Sequence, residues 1–143
     1  MPRLSSHFGL RDPRLQSLLF EQIVPATITA DSNQTLTPAQ VLGGWIFRSG
    51  LTAGRTDTLP SAVALAEAIQ GVFVGTTFSF RVRNVSAAAQ THTIAVGAGG
   101  TLATSNAVTT AQNNDHAYRI LFTNATPGSE AYTLYSLGSG GGF

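Results

Sequence analysis

The stretch GVFVGTTFSFRVRNVS, residues 71–86, shows the clearest pattern in this chain. From residue 78 to residue 84 the side chains alternate with a period of two, which is the spacing of a β-strand with one buried face. One face carries Phe78, Phe80, Val82 and Asn84, and the other carries Ser79, Arg81 and Arg83. The pattern predicts a hydrophobic core on the first side, and a protein interface or solvent on the second.

Shorter segments with strand character occur along the rest of the chain, separated by turns rich in Gly, Asn and Pro. They are ATITA (26–30), WIFRSG (45–50), THTIAVGAGG (91–100), HAYRILFTN (116–124) and AYTLYSL (131–137). Strands of this length and spacing predict a mainly β fold, an antiparallel sandwich or barrel-like domain over residues 27–138. The side chains expected in its core are Trp45, Leu65, Ile69, Phe78, Phe80, Ile120 and Phe122.

One segment, RTDTLPSAVALAEAI (55–69), predicts a short α-helix over about residues 59–70. Apolar side chains recur in it at helical spacing, and they are Ala62, Leu65, Ala66 and Ile69. Either Asp57 or Thr58 is the expected N-cap, and Pro60 fits the first turn. The helix is expected to cover part of a sheet with this apolar stripe.

Proline and glycine predict the remaining boundaries. In TLTPAQVLGG (35–44), Pro38 suits the first turn of a shorter helical piece, and the two glycines are expected to end it. At the end of the sequence, GSGGGF contains four glycines, so a flexible tail is expected over residues 139–143.

Residues 1–26 differ in composition from the rest and are expected to form an extended N-terminal arm. Pro13 predicts the start of a short helix, and Pro25 predicts its end. The segment is too apolar for a solvated tail and too short to fold alone, so it is expected to lie on its own domain or on a partner. The expected contact residues are Arg11, Arg14, Leu15, Leu18, Leu19 and Phe20, of which the three leucines share a helix face.

The composition narrows the classes of function. All eight basic residues are arginine, and with seven acidic residues they leave a net charge of +1, which gives no case for nucleic-acid binding. Charged residues make up only 10% of the chain, so much of the surface is suited to contact with protein. The chain has no cysteine, no signal-peptide pattern and no window of ~18 apolar residues, so a soluble protein made in the cytosol is expected, without membrane contact.

Candidate catalytic and metal-binding residues are sparse. The histidines His7, His92 and His116 match no metal-ligand spacing, and the last two are expected on strand surfaces. Asp115 and Glu130 would flank a common site if the last two strands pair, but residues beside turns are more often caps. No serine lies in a nucleophile motif, so the sequence predicts no enzyme, no cofactor and no metal site.

The order of the longer segments resembles that in a group of small β-rich proteins from the virions of tailed phages. The segments are TLTPAQVLGGWIFRSG, RTDTLPSAVALAEAI, VGTTFSFRVRNVSAAAQTHTIAVGAGG, AQNNDHAYRILFTN and TPGSEAYTLY. The likeness covers about residues 35–136, and its weight comes from the order of the segments rather than from any one of them.

This resemblance implies a structural protein of the virion, namely a capsid decoration or cement protein that forms trimers on the outer surface of the head. The implied partners are the major capsid protein and two further copies of the chain. The arm would bridge neighbouring coat subunits and so stabilise the capsid, after synthesis in the host cytoplasm. The alternative is a tail or fibre component, or a receptor-binding tip that uses exposed aromatics such as Trp45 or Tyr135.

Overall fold

The computed structural model of the chain describes residues 22–103 and 108–141. In these ranges the chain forms nine strands and two helices. The strands are β1 (Ala26–Ile28), β2 (Trp45–Arg48), β3 (Arg55–Thr58), β4 (Thr77–Asn84), β5 (His92–Ala95), β6 (Gly100–Leu102), β7 (Thr109–Thr110), β8 (Asn114–Asn124) and β9 (Ala131–Gly141). The helices are α1 (Pro38–Leu42) and α2 (Ala62–Ile69). Neither of them has the length and apolar character that crossing a bilayer requires.

The strands form two sheets. The larger sheet has the order β1-β2-β4-β8-β9-β6, and the smaller has the order β3-β5-β7. Antiparallel pairs join β4 to β8, β8 to β9 and β5 to β7. The pairs β1–β2, β2–β4, β3–β5 and β6–β9 are parallel. The mainly β fold predicted from the sequence is therefore confirmed, and both sheets are mixed rather than purely antiparallel.

The parallel pairs arise because helices and crossing segments return the chain to the same end of the sheet. Helix α1 provides this connection between β1 and β2. Its N-cap is Thr37, whose hydroxyl accepts a hydrogen bond from the Gln40 amide, while the Gln40 side chain accepts one from the Thr37 amide. It ends at Gly43, so the helical piece predicted between Pro38 and the two glycines is confirmed.

Helix α2 begins later than the sequence pattern predicts. Its N-cap is Ser61, whose Oγ accepts a hydrogen bond from the Ala64 amide at 3.1 Å. Asp57 and Thr58, the predicted caps, lie in β3, where Asp57 pairs in register with Ile94 of β5. Pairing with β5 thus keeps the two predicted cap residues in an extended conformation.

One hydrophobic core joins the inner faces of the sheets to α2. Four of the predicted core residues are fully buried in it, and these are Leu65, Phe80, Ile120 and Phe122. Ile69 and Phe78 are half-buried and pack against this core. Trp45 corrects the prediction, because it is half-buried on the opposite face of the larger sheet, while its neighbour Ile46 is buried in the core.

The structure describes parts of the segments predicted at the two ends of the domain. Gly140 and Gly141, predicted in a flexible tail, pair with Asp115 and Asn114 of β8, since backbone pairing requires no side chain. Most of the predicted N-terminal arm lies outside the described residues. Its described part, residues 22–25, runs beside the end of α1, where the Val24 amide donates to the Gly43 carbonyl at 2.8 Å.

Candidate protein-binding face

The side of the larger sheet that points away from the core forms one continuous surface, which we call the outer face. Alternation along β2, β4, β8 and β9 places every second side chain on it. Its residues include Trp45, Phe47, Thr77, Ser79, Arg81, Arg83, Asp115, Ala117, Arg119, Leu121, Thr133, Tyr135 and Leu137. Strand pairing arranges them in rows, so that Ser79, Arg119 and Tyr135 lie side by side across β4, β8 and β9.

Large apolar side chains are exposed on the outer face. Tyr135 is 38% exposed and Leu137 is 51% exposed. Trp45 and Phe47 are half-buried, and their ring centroids lie 5.4 Å apart. Single apolar side chains are ordinary on a protein surface, whereas a contiguous patch is typical of a contact with another protein.

Two adjoining grooves cross the outer face. The first has a volume of about 170 Å³ and is lined by Ile23, Gly44, Trp45, Ser79, Phe80, Arg81, Ala117 and Leu137. The second has a volume of about 390 Å³ and is lined by Thr77, Arg119, Leu121, Tyr135, Ser136 and Leu137. A bulge in β9 leaves Leu137 without a direct partner on β8, and its side chain lines both grooves. The two grooves, which together we call the depression, therefore share Leu137 and are lined by residues of β2, β4, β8 and β9.

Arginine supplies positive charge beside this depression. Arg81 forms an ion pair with Asp115, whose side chain is almost fully buried. Because the Arg81 side chain is 43% exposed, solvent screens the pair and its contribution to stability is small. Arg119 is exposed, and its Nε donates to Ser79 Oγ at 3.1 Å. Such guanidinium groups at the rim of an apolar patch suit contacts with carboxylates of a protein partner.

A buried polar cluster, formed by Arg48, Asp57 and His92, lies on the core side of the fold. Arg48 Nε and His92 Nε2 both lie 2.9 Å from Asp57 Oδ2. The Arg48 guanidinium also donates to the carbonyls of Ala30 and Ser32, at 2.7 Å and 2.6 Å. His92 is fully buried in this cluster, which corrects its predicted position on a strand surface.

The electrostatics of the cluster keep Asp57 ionised. Burial alone would raise the pKa of Asp57, but the hydrogen bond and charge of His92, the charge of Arg48 and the Gln34 amide together hold that pKa below its usual value. All three side chains of the cluster are closed to solvent. The cluster therefore joins β2 of the larger sheet to β3 and β5 of the smaller one, and its buried position gives it no access to a substrate.

His116 is a second correction, because it is also buried rather than exposed on its strand. Its ring stacks on Tyr118, with centroids 4.6 Å apart, and its Nε2 lies 2.5 Å from Ser136 Oγ. Burial lowers the pKa of His116, although a backbone hydrogen bond to Thr109 and the charge of Asp115 oppose the shift. The imidazole is therefore neutral at pH 7 and belongs to the packing of the sheet.

Asp115 and Glu130 are not brought together. Asp115 pairs with Gly140 near one end of β8, whereas Glu130 precedes Ala131, which pairs with Asn124 at the other end. Among the described residues, no three His, Asp or Glu side chains lie close enough together to hold a metal ion. The predicted contact residues of the arm lie outside the described residues, and these are Arg11, Arg14, Leu15, Leu18, Leu19 and Phe20.

The aromatic part of the outer face is the feature that the sequence pattern does not reveal. Alternation along β4 correctly separates Arg81 and Arg83 from the core side. In β2, the segment WIFR has an apolar residue on both faces, so alternation does not decide which face is buried. Arg48 forms a buried ion pair with Asp57, so the face of β2 that carries Arg48 is the buried one and Trp45 lies on the outer face.

No protein-family model, curated protein or solved structure matches the chain. What the outer face is suited to bind is therefore inferred from its geometry alone. Exposed aromatic and aliphatic side chains line a shallow depression with arginine at its rim, an arrangement suited to binding a protein surface.

Proposed function

We propose that this protein is a bacteriophage capsid decoration protein, which binds the outer surface of the head and stabilises the coat. The observation that carries the proposal is the outer face, a contiguous exposed surface of aromatic, aliphatic and arginine side chains. The order of the sequence segments over residues 35–136, which resembles that in virion proteins of tailed phages, supports the same role.

In this proposal, copies of the chain contact one another through their outer faces. Burial of apolar surface contributes roughly 25 cal/mol per Å². A face that carries Trp45, Phe47, Leu121, Tyr135 and Leu137 therefore gains free energy when a second copy covers it. In the proposed assembly, three copies bury these faces against one another and form a trimer on the capsid.

The N-terminal arm supplies the proposed link to the major capsid protein. Its leucines and Phe20 would enter apolar grooves between coat subunits, with Arg11 and Arg14 as their polar neighbours. Three arms on one trimer bind together more tightly than one, because each bound arm raises the effective concentration of the next. The role is mechanical and includes no catalytic step.

Binding to undecorated phage heads tests the proposal. Four purified forms are compared: the full-length chain, a chain without residues 1–21, the double variant Tyr135→Asp with Leu137→Asp, and the control Val74→Asp. Val74 is 64% exposed and lies outside the outer face, so its substitution introduces a carboxylate on the surface without altering that face. Bound copies are counted after the heads are sedimented.

The full-length chain and the Val74→Asp control are expected to bind heads in sets of three. The truncated chain is expected to lose binding to the coat, and the double variant is expected to bind without forming trimers. If the full-length chain binds no heads, the decoration role is wrong. Binding to host cells or purified polysaccharide instead would identify a fibre component or receptor-binding tip, in which exposed aromatics such as Tyr135 contact glycan.

A further inference from the structure

We propose that Arg119, on the outer face of one copy, binds in a groove on a second copy that is lined by Glu67 and Glu130. The inference rests on the proposed function only for the contact between copies, and it names the surface that completes this contact. Around a three-fold axis, each contact joins two different surfaces of the chain. Residues of the outer face are therefore met by a different set of residues on the next copy, and charge indicates which set.

The outer face carries more positive than negative charge. Its arginines are Arg81, Arg83 and Arg119, and its one carboxylate among the described residues, Asp115, is almost fully buried and paired with Arg81. Arg119 is exposed, and within the described ranges its guanidinium forms one hydrogen bond, from Nε to Ser79 Oγ. Its two Nη groups can therefore donate to a carboxylate of another molecule.

A groove beside the end of α2 supplies the opposite charge, and we call it the acidic groove. It has a volume of about 200 Å³ and is lined by Ala66, Glu67, Gly71, Val72, Ala125, Pro127 and Glu130. Ala66 and Glu67 belong to α2, whereas residues 125–130 connect β8 to β9. The acidic groove therefore lies outside the outer face.

Glu67 and Glu130 are the carboxylates that remain for a partner. Three of the five described carboxylates already form ion pairs with arginine of the same chain, and these are Asp31, Asp57 and Asp115. Neither Glu67 nor Glu130 forms an ion pair within residues 22–103 and 108–141. Negative charge that is open to a second copy is thus concentrated in the acidic groove.

Glu130 has an unsatisfied hydrogen-bond acceptor. Its Oε2 is buried from solvent, and no described residue donates a hydrogen bond to it. A carboxylate oxygen that is buried without a donor is costly, so a group that brings N–H donors into the groove gains binding energy. A guanidinium offers paired N–H groups whose geometry matches a carboxylate. The chemistry of the acidic groove therefore suits an arginine side chain.

Apolar side chains accompany the charges on both surfaces. Leu121 and Tyr135 line the second groove beside Arg119, and Val72 and Pro127 line the acidic groove. Apolar contacts around an ion pair exclude water, which strengthens the attraction between the charges. The same contact thus buries apolar surface and pairs opposite charges.

The contact has to form between chains. Arg119 pairs in register with Tyr135, whereas Glu130 precedes Ala131, which pairs with Asn124. The five residues from position 119 to position 124 span about 17 Å along β8. In addition, α2 packs on the core side of the sheet, opposite to the outer face. Arg119 therefore cannot reach the acidic groove of its own chain.

Carbodiimide coupling tests the contact, because the chain contains no lysine. This reagent joins an amine directly to a carboxylate that touches it, so Arg119→Lys introduces a single reactive side-chain amine at the proposed contact. We expect an amide bond from position 119 to Glu67 or Glu130 of another chain. Mass spectrometry of mixed ¹⁵N-labelled and unlabelled chains identifies such a bond as intermolecular. The control is Ala88→Lys, exposed in the connection between β4 and β5, which is expected to form no bond to either glutamate.

The coupling is carried out with the free protein at high concentration and with the protein bound to phage heads. Absence of the bond in both samples, or equal coupling of the Ala88→Lys control, overturns the inference. Bound sets of three without the bond would overturn it while leaving the decoration role intact. The bond in free protein that binds no heads would support the contact and contradict the decoration role.

Exchange of the two charges gives a second measurement, by sedimentation velocity. Arg119→Glu is expected to weaken association between copies at least about tenfold, because it places like charges in contact. The combined variant Arg119→Glu with Glu130→Arg is expected to restore most of the association, since every contact again joins opposite charges. The control Ala88→Glu is expected to associate like the wild-type chain.

Two results of the charge exchange would contradict the inference. One is a combined variant that associates no better than Arg119→Glu, although both melt at the wild-type temperature. The other is a wild-type chain that stays monomeric at every concentration and binds heads only as single copies.

Discussion

Arg48 is fully buried, although arginine is usually found at the surface. Its burial is possible because Asp57 neutralises its charge and backbone carbonyls accept its remaining N–H groups. A buried ion pair of this kind adds little net stability compared with apolar residues of the same size. Removal of one partner, however, leaves an uncompensated charge in the core.

The substitution Asp57→Asn is therefore expected to lower the free energy of unfolding by about 3–5 kcal/mol. Urea unfolding, followed by far-UV circular dichroism, measures this change. The double variant Arg48→Met with Asp57→Asn is expected to be more stable than Asp57→Asn alone, because it leaves no unpaired charge. A loss below about 1 kcal/mol for Asp57→Asn would show that the cluster is not a tightly coupled pair.

Acid is expected to destabilise the fold through His116 and Asp57. The pKa of each is lower in the folded chain than its ordinary value, so the unfolded state takes up protons first as the pH falls. The contribution of His116 is complete above about pH 6.5 and is lost as the pH falls below that value. The contribution of Asp57 is lost in the same direction, starting below about pH 4.

Melting temperature measured from pH 8 to pH 3 tests this expectation. The wild-type chain is expected to show a first decline below about pH 6.5, and His116→Gln is expected to flatten that part of the curve. A wild-type melting temperature that rises between pH 7 and pH 5 would contradict the assignment of His116.

The same residues show what a sequence can and cannot predict at this scale. Phe80, Ile120 and Phe122 were predictable core residues, because polar and apolar side chains alternate in their strands. Trp45 and His92 were not predictable. His92 pairs with Asp57 on another strand, and Arg48, which lies on the face of β2 opposite to Trp45, pairs with the same carboxylate. No local pattern contains that information.

Among the elements, α2 packs on the sheets through one side of the helix. Leu65 is fully buried in the core, and Glu67 is exposed on the other side of the helix. The two residues lie only two positions apart in the same helix. Comparing their substitutions therefore distinguishes the contribution of core packing to stability from that of helix propensity.

We expect Leu65→Ala to lower the free energy of unfolding by about 2–5 kcal/mol, since it leaves a cavity in the core. We expect Glu67→Ala to change it by less than about 0.5 kcal/mol. Both values come from urea unfolding curves with equal slopes. Similar losses for the two variants would mean that α2 is held by its own helix propensity rather than by packing.

The existence of α1, α2 and most strands was predictable, but their starts and partners were not. The segment RTDTLP carries strong helix-start residues, yet its first four residues form β3 because β5 provides a pairing partner. The sequence also does not predict which strands pair in parallel, because that too depends on the partner strand. A period of two defines a strand and its buried face, but it does not define the neighbouring strand.

For the whole molecule, the strand order determines which parts open first. Strand β4 is paired on both edges by β2 and β8, and β8 is paired on both edges by β4 and β9. Strands β1, β6 and β7 contain two or three residues each and lie at sheet edges. Stability is therefore expected to be highest at the centre of the larger sheet.

Native-state amide hydrogen exchange tests this distribution. The amides of Phe80, Val82 and Ile120 are expected to exchange only by global unfolding, whereas those of β1 and β7 exchange through local opening. Equal protection of central and edge strands would show that the two sheets open as a single unit.

The candidate site was predictable only in part at this scale. The arginines of β4 indicated a possible protein interface, because they alternate with core residues. The full outer face becomes visible only when β2, β4, β8 and β9 are placed side by side, since its residues come from four separate parts of the chain. Its aromatic side chains could not be assigned to it before that order was known.

Because side chains alternate along β4 and β8, substitutions can change the outer face without changing the core. Each outer-face position lies between two inward-facing neighbours, so a substitution at Ser79 or Arg119 alters the surface and leaves Phe80 or Ile120 untouched. The chemistry of the outer face can therefore change while the fold is preserved. For the same reason the larger sheet is a suitable scaffold for a combinatorial library, in which Ser79, Arg119, Thr133 and Tyr135 are randomised to select new binding specificities.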